Sequence, residues 1–262
     1  MDLIKEGGRI IMTEVIERKL NKYLFPVEER KVYFANPDSD PKGTKEYKAI
    51  VRPDKNKLIS IMQDSYKLIP NREVIMPLLE QLNQLDTRWN FDNSHSFVDS
   101  KRMRLQVTFP DLTINDGRSD IALSLFVHNS YDGSEGVRMF WGAIRAICSN
   151  GMVFGEVLAK FYSKHTSGID LGNLGQQIEN TYSQVPVIKE RIEVLKNIEV
   201  TDSLKKEVEK KMGKTLTSYI QEQIPPVSQW ALYNIITYYI SHQVEQRMRA
   251  TYQMKTSQIF KL

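Results

Sequence analysis

The chain has a single cysteine, Cys148, in 262 residues. One thiol cannot close an internal disulfide, so an oxidising compartment would give this fold no staple. No stretch approaches the roughly 20 apolar residues that a membrane helix needs. The segment from Met1 to Met12 carries Asp2, Lys5, Glu6 and Arg9 and has no long apolar run, unlike a secretory leader. The expectation is a protein of the cytoplasm with no membrane partner. Histidine is also scarce. His95, His128, His165 and His242 are scattered without ligand spacing, so no metal site is expected. No glycine-rich phosphate loop with its lysine is present, and no cofactor is expected.

What the chain does have is ordinary globular composition. It is 41% hydrophobic and 26% charged, with a formal net charge of +4. That is enough apolar material for one sizeable core with a helical appendage. The basic excess permits contact with nucleic acid without demanding it.

The pattern along the chain predicts an α+β fold. Residues 1 to 25 read as a weak helix. Tyr47, Ala49 and Val51 alternate with polar residues, Pro53-Asp54-Lys55-Asn56 supplies a turn, and Leu58 to Met62 returns as the second strand of a hairpin. Asn71 reads as the N-cap of a helix carrying Val74, Ile75, Leu78, Leu79, Leu82 and Leu85 at helical spacing. Phe91 to Val98, Arg102 to Phe109 and Ile121 to Asn129 favour strand by their β-branched and aromatic content. Leu105, Val107 and Phe109 alternate with polar residues, which predicts one wet face. Asp116-Gly117 marks a turn, and a helix is expected from about Val137 to Ile147. Beyond Gly168, Gly172 and Gly175 come helical patterns at Ile178 to Ile198, Asp202 to Met212 and Trp230 to Met248, with Thr201 or Asp202 as a cap. The expected architecture is a central, mostly antiparallel sheet with packed helices (a strand-strand-strand-helix core) and a helical C-terminal region. Residues 1–44 form an N-terminal segment, 45–167 the core, and 168–262 the helical region with a basic tail.

The most unusual local sequence is His128-Asn129-Ser130-Tyr131-Asp132-Gly133-Ser134. Its plain reading is a strand end, a turn at Asp132-Gly133, and a helix capped by Ser134 with Glu135 in the first turn. Its sharper reading places a phosphate at that helix start beside Arg138. A hydrolytic trio of His128, Ser130 and Asp132 is disfavoured, because such sites collect their members from distant parts of the chain. A second block, Ile144-Arg145-Ala146-Ile147-Cys148-Ser149-Asn150-Gly151, holds the lone cysteine, read as a small buried hydrophobe. Asn150-Gly151 suits a helix end. The chain is therefore expected to bind and not to catalyse.

Lys101, Arg102 and Arg104 open a central strand, with Arg102 and Arg104 on one face. Arg118, Arg138 and Arg145 follow, and Trp89 and Tyr131 are among the interleaved aromatics. A face of arginines and aromatics can hold a single strand of nucleic acid by phosphate contact and base stacking. The bland alternative is solvated arginines on one face and core aromatics on the other. The tail from Arg247 to Leu262 carries Arg247, Arg249, Lys255 and Lys261 and no acid after Glu245. It reads as a solvated terminus or as an arm toward DNA or a neighbouring subunit. Trp230 to Ile240 is apolar around more than one helical face. Either the helix Ile188 to Ile198 or another subunit would cover it.

The two blocks resemble the phage- and plasmid-like family catalogued as domain of unknown function 932. Members carry a similar Asn-Ser-His-Asp-Gly-Ser stretch and a similar Arg-x-x-Cys-x-Asn. Tyr131 stands here where histidine is usual. Tyr66-Lys67-Leu68-Ile69-Pro70-Asn71-Arg72-Glu73 is similar to a family segment before a helix. The resemblance covers roughly residues 45 to 240. It implies origin in a mobile element among DNA-handling genes, and it implies no reaction. The order of elements over 88–147 is also similar to the core of Rad-type single-strand annealing proteins, which form rings or filaments on DNA. The functional expectation is a non-enzymatic phage or plasmid protein that binds, and in the stronger form anneals, single-stranded DNA as a homo-oligomer. The competing expectation is a host-takeover or interaction protein whose target is another protein.

Overall fold

Pro53 and Asn56 make the first hairpin. Pro53 opens a single 3-10 turn over Pro53–Lys55, and Asn56 closes it in the left-handed region at φ 45°. Asparagine tolerates that region because its short amide can bond locally. The turn joins β2 (Lys42–Arg52) to β3 (Lys57–Gln63), and β1 (Glu28–Phe34) pairs with the far side of β2. The structure, a computed structural model, describes residues 19–262 apart from 86, 94, 118, 146–150, 154–159 and 164–173. The expected N-terminal helix falls mostly outside the described residues. Leu20 and Tyr23 at its end are buried.

Helix α1 (Asn71–Gln84) buries Val74, Ile75, Leu78, Leu79 and Leu82, the predicted face. Asn71 is its first residue and not its cap, and Pro70 holds the cap position. The Asn71 amide is engaged elsewhere, donating to the Tyr23 carbonyl at 2.9 Å and accepting from Asn129 at 2.9 Å.

The main sheet is antiparallel, in the order β10-β8-β7-β6-β4, with β5 also on β6 and β9 also on β8. Its long members are β6 (Arg102–Asn115), β7 (Asp120–Ser130) and β8 (Val137–Arg145). β4 (Asn90–Phe91) and β5 (Phe97–Val98) replace the single strand expected over 91–98. Between them Asp92 takes the His95 amide and the Ser96 hydroxyl donates back to the Asp92 carbonyl, which turns the chain. The predicted turn at Asp116-Gly117 is present, with Gly117 at φ 86°.

The helix expected over 137–147 is instead β8. Its inner residues, Met139 to Ile144, are a short apolar run that no periodicity can assign. Pairing decides it, with Leu125 opposite Trp141 and Val127 opposite Met139. Valine, phenylalanine and tryptophan favour strand, and Gly142 lets β9 (Gly151–Val153) approach. The strand-strand-strand-helix order is thereby corrected to consecutive antiparallel strands closed by β10 (Lys160–Ser163).

The C-terminal region is helical: α2 (Leu174–Asn197), α3 (Asp202–Met212), α4 (Lys214–Gln221), α5 (Gln229–Gln243) and α6 (Gln246–Phe260). Thr201 caps α3 by accepting from the Leu204 amide. The residues from 247 onward are helix α6, and neither a solvated terminus nor a free arm. Ile259, Phe260 and Leu262 are buried at its end, where Phe260 meets Tyr233 edge to face. Most of α5 is covered within the chain, since Trp230, Leu232, Tyr233, Ile236 and Ile240 all join the main core, while Tyr238 stays 41% exposed. That core runs without a break from Leu105 and Val127 in the sheet to Ile188 and Leu195 in α2.

Gly142 supplies a direct check on the β8–β9 approach. A Cβ there would lie 2.1 Å from the Met152 carbonyl oxygen and 2.7 Å from the Phe126 ring. The neighbour is backbone and cannot swing aside. Gly142→Ala is expected to cost about 3 kcal/mol, the upper end for overpacking, read as a lower urea midpoint at unchanged m.

Candidate functional site

Direct strand partners project to the same side of a sheet. The register therefore aligns Phe97, Arg104, His128 and Arg138 in one row across β5, β6, β7 and β8. Gln106, Phe126 and Phe140 form the next row. The opposite face carries Leu105, Val127 and Met139 toward the main core. Arg102 and Arg104 share a face as expected, but that face is not wet. Arg104 is 7% exposed and Gln106 1%. Helix α6 lies over this part of the sheet, and Met254 packs on the stacked pair Phe126–Phe140.

Between the row and α6 lies a cleft of about 350 Å³. The sheet contributes His128, Arg138 and Phe140, and the β7–β8 turn contributes Glu135. The helix contributes Met254 and Lys255. A smaller cavity continues past His128 to Arg104, Gln106, His95 and, from α6, Arg249 and Gln253. The Arg138 side chain is exposed, and Lys255 is half-buried with its ammonium on the Lys211 carbonyl at 3.2 Å.

The floor of the cleft is a buried charge network. Glu135 pairs with Arg104 through one oxygen, and its other oxygen lies 3.4 Å from His128 Nδ1. Burial works to raise the Glu135 pKa, but His128 and Arg104 together outweigh it and hold the carboxyl at about 2. Burial dominates at His128 and pushes its imidazole below the usual value, with Glu135 only partly opposing. Glu135 is therefore ionised and His128 neutral near pH 7. A second pair, His95 Nδ1 with Asp92 at 2.7 Å, flanks the smaller cavity. Among the described residues no group of three or more His, Cys, Asp or Glu is arranged to hold a metal.

The motif after His128 builds structure. Asn129 donates to the Ile69 carbonyl and to Asn71, both at 2.9 Å. The Ser130 hydroxyl donates to the Glu135 carbonyl and accepts from the Glu135 amide, which closes the β7–β8 turn. Asp132 accepts from the Ser134 amide and hydroxyl, and Gly133 sits at φ 70°. Ser134 is thus a turn residue that leads into strand β8, and no helix start lies here to hold a phosphate. Tyr131 is 1% exposed. Its hydroxyl accepts from the Asn71 amide at 2.8 Å, and its ring meets Phe25 edge to face.

Neither aromatic proposed for stacking is available. Tyr131 is committed as above, and Trp89 is 5% exposed against Phe91. Of the proposed phosphate contacts, Lys101 is exposed in the loop before β6. Arg102 is half-buried beside Asp132 at 3.4 Å, and Arg104 is buried on Glu135. Among the described side chains of that set, Arg138 alone both faces the cleft and is exposed. Arg145 lies on the β8 backbone, and its side chain falls outside the described residues, as do Arg118, Cys148 and Asn150. Sequence reasoning missed the α6 wall of the cleft. The signal was Ala250 and Met254, two apolar residues one turn apart in what read as a basic tail.

A family model described as a domain of unknown function (DUF932) matches residues 58–259. No curated protein and no solved structure matches the chain.

The buried network sets the acid response. The folded carboxyl of Glu135 lies below its ordinary 4.5, so its stabilisation is complete above that pH and lost as pH falls toward 2. The folded imidazole of His128 lies below its ordinary 6.5, so only the unfolded chain takes up its proton readily, and stability falls as pH drops below 6.5. The urea midpoint should decline between pH 7 and 5, and His128→Gln should flatten that limb. Glu135→Gln should cost about 3 kcal/mol at pH 7 by leaving Arg104 buried beside a neutral group. Equal midpoints for Glu135→Gln and the wild type would contradict the network.

Proposed function

The chain belongs to the family described as domain of unknown function 932, and from that premise we propose that it is a nucleic-acid-binding protein without turnover that holds single-stranded DNA in the cleft between β8 and α6. The observation that carries this reading is the cleft's combination of cationic rim and apolar wall. Arg138 and Lys255 stand on its two sides, and Phe140 and Met254 lie between. The volume of about 350 Å³ lies at the small end of ligand-sized cavities and suits one nucleotide unit. A phosphate sits between the two cations, and its base rests against Met254, which covers the buried Phe140.

Arg104 supports the site without touching the strand, because its charge is already spent on Glu135. The motivation for DNA over another polyanion is the mobile-element setting implied by the resemblance of the two motif blocks. The reading moves the proposed contact from an open sheet face to a cleft, and it keeps phosphate neutralisation as the source of affinity.

Fluorescence anisotropy with a labelled oligonucleotide tests it. Affinity should fall as salt rises, with a slope of about 0.7 log units of binding constant per log unit of salt for each phosphate neutralised. Arg138→Ala and Lys255→Ala should each weaken binding about tenfold and each lower the slope by about one phosphate's share. The oligonucleotide should remain intact with and without magnesium. No binding at low ionic strength, or full binding by the double variant, would overturn the reading.

A further inference from the structure

The smaller cavity past His128 has a volume of about 50 Å³. A water-sized atom needs roughly 10–15 Å³ of such space, so the cavity holds a group of about four atoms. A phosphate group has that size, and a nucleobase is too large. His128 and Ala250 line both this cavity and the cleft, so the two adjoin.

The chemistry of its walls is one-sided. The polar side chains there are those of arginine, histidine, glutamine and serine, and among the described residues no carboxylate lines it. The nearby acids are engaged outside it. Asp92 lies 2.7 Å from His95 Nδ1, and Glu135 pairs with Arg104 and His128. Arg104 and Glu135 together are neutral, which leaves the net charge to Arg249 of α6. Arg249 is half-buried and donates from Nε to the Val244 carbonyl at 2.8 Å. No carboxylate pairs with it among the described residues, and burial lowers its pKa from the ordinary value. Desolvating a guanidinium without a counterion is costly, and an anion beside it offsets that cost.

Gln106 adds a second requirement. It is 1% exposed, and its carboxamide oxygen accepts no hydrogen bond among the described residues. A buried acceptor left unmatched costs stability. A phosphate that keeps one proton has a hydroxyl to donate there, and sulfate at neutral pH has none.

We propose that the small cavity is a binding site for a phosphate group, with Arg249 as its charge partner and Gln106 as the acceptor for its remaining proton. The phosphate is a free ion or the terminal phosphate of a nucleic-acid strand that lies in the cleft. The site itself does not require a strand in the cleft.

Titration calorimetry of the full chain with inorganic phosphate tests it. The double variant Arg138→Ala, Lys255→Ala lacks the cations assigned to the cleft and isolates the cavity. It should still bind one phosphate. Adding Arg249→Gln should weaken that binding at least tenfold, and sulfate should bind the double variant at least threefold more weakly than phosphate does. Thermal melts verify folding. In the unaltered protein, phosphate should protect Arg249 from phenylglyoxal, read by peptide mass, which decides the matter even if Arg249→Gln unfolds. Oligonucleotides with and without a terminal phosphate at either end separate the sources. Tighter binding of a phosphorylated strand, lost in Arg249→Gln, assigns the terminal phosphate, and equal binding of all strands assigns the free ion. A double variant that binds no phosphate, Arg249→Gln without effect, sulfate bound as tightly as phosphate, or Arg249 modified equally with and without phosphate would each overturn the proposal. Strand binding that survives the double variant would overturn the cleft reading and leave this site standing.

Discussion

The rest of the structure depends on the antiparallel ladder of β6, β7 and β8. Its pairing runs without a shift along β7 and β8 from Ile121–Arg145 to His128–Arg138. Register at a sheet buried on both faces is a strong constraint, because a one-residue slip would exchange every side chain between faces. Here a slip would drive Arg104, His128 and Gln106 into the main core and bring Leu105 and Val127 out under α6. One face therefore supplies apolar burial for the helical layer. The other supplies an ordered row of polar groups that exists only while the ladder holds.

The far end of β7 converts that ladder into a whole domain. Asn129, Ser130 and Tyr131 reach out of the sheet to fasten separate pieces. The Tyr131 hydroxyl takes the first amide of α1, Asn129 holds Ile69 and Asn71, and the Tyr66 hydroxyl donates to the Ser130 carbonyl at 2.9 Å. The Ser60 hydroxyl donates to the Tyr131 carbonyl and ties in the small sheet. Each such bond contributes about 1 kcal/mol net, but leaving one buried partner unsatisfied costs more. The unusual motif is thus divided by function. His128 faces the cleft, and the residues after it are structural fasteners.

The parts of the fold legible in the sequence were those fixed by local rules. The Pro53–Asn56 turn, the apolar face of α1, the Thr201 cap and the Asp116–Gly117 turn each rest on chemistry within a few residues. β8 was not legible, because its apolar run suits a buried strand or a buried helix and only Leu125 and Val127 across the ladder decide between them. The shared face of Arg102 and Arg104 followed from strand alternation. The burial of Arg104 did not, because it requires Glu135, 31 residues away, and a helix more than 140 residues downstream in the sequence. Trp89 and Tyr131 looked free for stacking because nothing local shows that Phe91, Phe25 and Asn71 hold them.

The cleft is the consequence of laying a largely polar helix over a polar sheet face. α6 is anchored at its C-terminal end by Phe260 and Leu262, and at β9, where Gln253 donates to the Gly151 carbonyl at 3.1 Å. Between these anchors it stands off β8 and leaves the space rimmed by Arg138 and Lys255. The central claim is that a nucleic-acid strand occupies this space. Photo-crosslinking of a bromodeoxyuridine-substituted single strand, followed by peptide mapping, tests it most directly. The account predicts adducts on residues 138–140 of β8 and 250–258 of α6. Adducts confined to the small β1–β3 sheet, with none on those two segments, would contradict it.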